Sequence, residues 1–98
     1  MSVLIKEAAI EKHVTDHAKR LGCLSRKMNG LGNRAWPDRM YLYNGAVMFI
    51  EFKRPGLTAT PLQLHFHSML KNMGFWVAVV DDKEFGKQVI NDFVKRSA

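Results

Sequence analysis

Asp38 stands at the head of the run DRMYLY, and Glu51 and Lys53 stand at the tail of AVMFIEFK. Both runs otherwise read as apolar strands, and a strand that serves only a core has no use for two carboxylates and an amine. Between the runs lies Asn44-Gly45, the strongest short signal for a hairpin, through a type I′ turn. A two-residue turn pairs Tyr43 with Ala46, and the same register carried along the ladder sets Asp38 opposite Glu51. Their Cβ atoms would then be about 4.5–5.5 Å apart on one face. Like charges so placed destabilise a hairpin, unless a cation lies between them. Period-two alternation puts Lys53 on the face of Glu51.

Two carboxylates at that spacing suit a hard divalent cation with oxygen ligands, Mg²⁺ or Mn²⁺, which keeps several waters. The chemistry that follows is hydrolysis of a phosphate ester. The cation neutralises charge on the phosphate, water is the nucleophile, and Lys53 orients the water or stabilises the transition state. The competing reading is a pair of solvated strand-end acids and an edge lysine that blocks aggregation.

The elements that must position these groups can be read from spacing. Residues 4–21 predict a helix, with Val3, Ile10, Val14, Ala18 and Leu21 along one face and Gly22 at its C′ position. Residues 38–43 and 46–53 predict the hairpin strands. Thr60-Pro61 reads as N-cap and N1 of a second helix over 61–73, ended by Gly74. That helix is expected to bury Leu62, Phe66, Met69, Leu70 and Met73. The apolar run 75–80 predicts a buried strand. Asp82 can cap a last helix whose stripe is Phe85, Val89, Ile90, Phe93 and Val94. The order is α-β-β-α-β-α. The second and third strands flank a helix and must run parallel, so the sheet is mixed. Residues 25–36, rich in Gly and Asn, read as irregular.

The first helix offers a third acid. At about 100° per residue, Glu7 lies roughly 30° from the centre of the apolar stripe and Glu11 roughly 70° away. Glu7 is therefore expected to point further into the protein, where a carboxylate needs a partner or a metal. A surface acid near a helix N-terminus is the alternative.

Composition narrows the class. The 98 residues suggest one domain over 1–98, and 47% hydrophobic residues suffice for one core. No apolar run is long enough to span a membrane, and the first residues lack a signal-peptide h-region. Cys23 is the single cysteine, which excludes an internal disulfide and a cysteine-rich zinc site and suits the cytoplasm. His13, His17, His65 and His67 lack a tight ligand spacing. Trp36 and Trp76 read as core or interface, and Met69 and Met73 as core. A net charge of +6 and a pI near 9.8 favour a polyanionic partner, nucleic acid foremost. Arg20, Arg26, Lys27, Arg34, Arg39 and Arg54 surround the acids in sequence and would form the path for DNA.

Pro37-Asp38 followed by Glu51-Phe52-Lys53 resembles the PD-(D/E)xK signature. The glycine-rich approach to Pro-Asp, the hairpin, IEFKRPG, and PLQ at a helix start narrow the resemblance. They resemble the VRR-NUC (virus-type replication-repair nuclease) domain in its compact stand-alone form, as in bacteriophages and prophages, over roughly residues 5–82. Ala35 stands where many relatives carry glycine. The resemblance implies a restriction-endonuclease-like α/β fold, a mixed sheet flanked by helices, with Asp38 and Glu51 as metal ligands and the carbonyl of Phe52 as a further ligand. It implies Lys53 as the catalytic lysine, with Gln63 and Glu7 near the site. It implies a Mg²⁺- or Mn²⁺-dependent endonuclease that cuts branched DNA, four-way junctions or flaps, as a homodimer. Two rivals remain at this level. One is a nucleic-acid-binding module of the same fold without catalysis. The other is an accessory protein whose metal is structural and whose fold a chelator would undo.

Overall fold

A computed structural model describes residues 6–28 and 35–98. Its elements are α1 (Glu7–Arg20), β1 (Leu24–Lys27), β2 (Arg39–Tyr43), β3 (Ala46–Phe52), α2 (Pro61–Asn72), β4 (Trp76–Val80) and α3 (Lys83–Ser97). One four-stranded sheet has the order β1-β2-β3-β4, antiparallel except for the parallel pair β3-β4. The mixed α/β architecture is the expected one with one strand added. β1 falls where an irregular stretch was expected, because all four of its residues are exposed and no apolar alternation marks it. Pairing with β2 makes it a strand.

The hairpin register is the expected one, with Tyr43 opposite Ala46 and Arg39 opposite Ile50. Asn44 and Gly45 both have positive φ, 50° and 82°, as a type I′ turn requires. β3 is one of the two inner strands and is buried on both faces, hence its unbroken apolar run. Met48, Ile50 and Phe52 join the core made with Ile10, Val14 and Ala18 of α1 and Ile90 and Phe93 of α3. Phe49, on the alternate face, packs with Trp36 and Phe75, and Trp36 also meets Phe66 of α2. Glu51 follows Phe49 at period two and shares its face.

Three apolar expectations are corrected. β4 is an edge strand, and only Val80 in it is fully buried; a continuous apolar run does not distinguish an edge from a centre. α2 buries His67 and Leu70 and leaves Leu62, Met69 and Met73 exposed. One face of a short helix reaches the sheet, and among the described residues these three side chains stay exposed. Phe85 is likewise half exposed on α3.

Gly86 lets α3 approach α1. A Cβ there would lie well inside contact distance of Val14 Cγ2 and 3.0 Å from Val80 Cγ1. In an exposed helix Gly→Ala stabilises by up to about 1 kcal/mol; overpacking reverses the sign. Gly86→Ala is expected to destabilise by about 1–3 kcal/mol, read as a lowered thermal midpoint.

Candidate active site

The chemistry-bearing residues meet at one end of the sheet, where β2 starts, β3 ends and α2 begins. Asp38 lies one step beyond the last paired residue of β2. Met28 N–H donates to its backbone carbonyl at 2.8 Å, so β1 helps to fix it. Its carboxylate then crosses the hairpin, Oδ2 accepting from Phe52 N–H at 2.7 Å. The expected juxtaposition of Asp38 and Glu51 is thus present, with a side chain in place of the next backbone rung. In a strand the N–H and C=O of one residue point the same way, so the carbonyl of Phe52 faces the side of Asp38. Lys53 N–H bonds the carbonyl of Val80 on the other side, at 2.9 Å.

Glu51 is 3% exposed. Its Oε2 accepts from Gln63 Nε2 at 3.0 Å and lies 3.6 Å from Lys53 Nζ. Gln63 is held in turn by the cap of α2. Its Oε1 accepts from Thr60 N–H and its N–H donates to Thr60 Oγ1, a reciprocal capping box. With Oε1 engaged, the amide can only present N–H₂ to Glu51. The second oxygen, Glu51 Oε1, is buried without a hydrogen-bond partner among the described residues. A buried carboxylate oxygen left so is costly, and it is the position a cation would satisfy.

The electrostatics agree. Burial first, and the charge of Asp38 second, push the Glu51 carboxyl up to about 7, against the pull of Lys53. Asp38 is also pushed up, mainly by burial, and further by Glu11 and Glu7, while the Phe52 N–H opposes. Two acids whose charged forms are disfavoured fit a site built for a positive ion. Among the described residues no three Asp, Glu, His or Cys side chains converge on one point. The donors on offer are two carboxylates and a carbonyl, a set that suits a hard ion keeping waters.

The first-helix acids reverse the expected roles. Glu11, not Glu7, is buried, and Glu7 is exposed. The helical wheel placed the stripe's centre by counting Leu21, which is exposed at the C-cap. Glu11 also has partners that no periodicity reveals. Arg39 Nε lies 2.9 Å from its Oε2, and Lys27 Nζ 3.7 Å. Glu7 is still near enough that its charge raises both Asp38 and Glu51.

Of the basic residues expected on a DNA path, Arg20, Arg26 and Arg54 are exposed. Lys27 and Arg39 engage Glu11, and Arg34 lies outside the described residues. His67 was passed over. It sits one turn after Gln63, 2% exposed, with Nε2 lacking a partner among the described residues. Burial, then Lys71 and Lys53, lower its pKa, which favours the neutral ring. Its i, i+4 spacing from Gln63 was the available signal.

No family model matches the chain. It is 39% identical over 82 residues to "Putative nuclease p44" of Acyrthosiphon pisum secondary endosymbiont phage 1, a match over 83% of this chain and 88% of that protein. A solved structure titled "VRR_NUC domain" superposes with a TM-score of 0.79 at 27% identity, covering 89% of this chain and 96% of that one.

Proposed function

Because the chain belongs to the VRR-NUC family of nucleases, we propose that it is a Mg²⁺- or Mn²⁺-dependent DNA endonuclease acting on branched DNA. The observation that carries the reading is the buried Oε1 of Glu51, without a partner among the described residues, close enough to Asp38 to feel its charge. Asp38, Glu51 and the carbonyl of Phe52 would hold the ion. Bound there, it supplies charge neutralisation at the phosphate and acidifies nearby water. The residues of the chain do the rest. Gln63 fixes the orientation of Glu51. Lys53, half-buried, presents a cationic donor beside it, which stabilises charge on the phosphate oxygens and orients the attacking water. Hydrolysis adds water across one P–O bond: the hydroxyl goes to phosphorus, the bond to the leaving oxygen breaks, and that oxygen takes the proton that the water gives up.

DNA as the substrate is supported by the net charge of +6 and by exposed Arg26 and Arg54 near the acids. A two-fold dimer would carry two such sites and cut two strands of a branch symmetrically. The exposed apolar side chains Leu62 and Met69 of α2 and Met73 at its C-cap offer it a surface. Among the described residues no helix is long and apolar enough to cross a membrane. The test is cleavage of labelled four-way junction, flap and linear duplex with Mg²⁺, with Mn²⁺ and with EDTA, alongside light scattering. Metal-dependent cuts at the branch by a dimer are the expected result. DNA binding with no cleavage under any condition would leave a binding module of the same fold.

A further inference from the structure

α1 is seated on the core by Ile10, Val14 and Ala18, and an apolar stripe alone leaves a helix able to roll about its axis. Thr15, bonded to the Tyr41 hydroxyl at 2.8 Å, and His17, bonded to Asn91 at 2.7 Å, restrain that roll in part, and Glu11 adds a charged, directional tie at the site end of the helix. Glu11 is 8% exposed, and its Oε2 takes the Nε–H of Arg39 at 2.9 Å while Arg39 Nη1 donates to Ser25 Oγ at 3.1 Å. One carboxylate on α1 is thereby tied through one guanidinium to β2 and β1. The planar fork of arginine fixes direction as well as distance. Arg39 directly follows Asp38 in the chain. Glu7 precedes Glu11 by four residues and so lies on the same side of α1. No hydrogen bond or ion pair engages Glu7 among the described residues. The charge of Glu11 acts on Asp38 more strongly than that of Glu7, but of the two only Glu7 also acts on Glu51.

We infer that Glu11 is a positioning residue: clamped by Arg39, it sets the roll of α1 and so brings Glu7 to the cation end of the sheet. The two acids divide the work, Glu11 as the anchor and Glu7 as the free carboxylate that would be available to the ion or its waters. Arg39 then serves the clamp rather than the DNA. This rests on the metal-dependent reading of the Asp38–Glu51 site.

The test is Mn²⁺ binding, measured by the electron paramagnetic resonance signal of the free ion, with no substrate present. Glu11→Ala is expected to weaken binding roughly ten- to a hundredfold, the effect typical of a residue that orients a ligand. Glu11→Gln keeps an acceptor for Arg39 and should recover most of the affinity. Glu7→Gln weakens binding by itself, and Glu11→Ala added to it should cost little more, since Glu11 acts through Glu7. Unchanged Mn²⁺ affinity in Glu11→Ala overturns the inference, as does an equal loss in both backgrounds. Should Glu11→Ala fail to fold, Arg39→Lys keeps the charge and loses the fork; a several-fold weakening is expected, and none overturns the inference. A wild-type protein that binds no Mn²⁺ overturns the metal reading and this inference with it, whereas wild-type binding indifferent to these changes overturns this inference alone.

Discussion

Lys53→Ala is expected to lower metal-dependent cleavage by about 10²–10³-fold, the cost of one preorganised charged donor at a site of developing negative charge. The fold should survive. Lys53 is not in the core cluster, and among the described residues its ion pair is a 3.6 Å contact with Glu51. Gln63 still donates to Glu51 in its absence, and the backbone N–H of residue 53 still bonds the carbonyl of Val80. DNA binding should stay within a few-fold, because a single phosphate contact is a minor part of a net charge of +6. Lys53→Arg is not a conservative control, since a planar fork replaces a compact point charge. The measurement is single-turnover cleavage alongside a melting curve. Cleavage near the wild-type rate in a folded Lys53→Ala protein would remove Lys53 from the chemistry.

The second large effect concerns pH and the metal together. Glu51 titrates near 7, raised from 4.5 chiefly by burial and then by Asp38. A raised carboxyl means that between those values the folded chain holds a proton the unfolded chain has released. Unfolding then releases protons, so stability falls as pH rises through this window. The metal-free protein should therefore melt at a higher temperature at pH 5 than at pH 8. Between pH 5 and pH 8 the loss amounts to roughly 2–3 kcal/mol, or on the order of 10 °C for a domain of this length. Asp38, also raised, adds in the same direction. On the proposed reading Mn²⁺ would bind the ionised pair, so it should abolish the decline at pH 8 and have little effect at pH 5. Glu51→Gln isolates the contribution, since the difference between wild type and variant carries the slope of this one group. Melting curves in EDTA and in Mn²⁺ at three pH values decide the matter. A wild-type slope equal to that of Glu51→Gln would show that Glu51 titrates normally.

The hairpin was legible because everything that specifies it is local. Asn44-Gly45 dictates the turn, the turn dictates the register, and the register brings Asp38 to Glu51 and sets Lys53 on the same face. The cap of α2 was legible for the same reason: Thr60, Pro61 and Gln63 form it within four residues. What the cap does was not. That Gln63 turns its amide onto Glu51 depends on how the β3–α2 connection packs the helix against the sheet. Periodicity failed wherever burial was decided by a distant partner. Glu11 is buried because Arg39, 28 residues away, neutralises it. β1 exists because β2 pairs with it, although none of its side chains is covered. The outer face of α2 and the edge of β4 read as core because hydrophobicity records that a residue prefers cover, not that cover is present. Local chemistry thus determined the turn, the register and the pair of acids. Tertiary structure alone decided which first-helix acid is anchored, how Glu51 is held, and which apolar surfaces stay open, because each depends on charges and contacts between residues far apart in the chain.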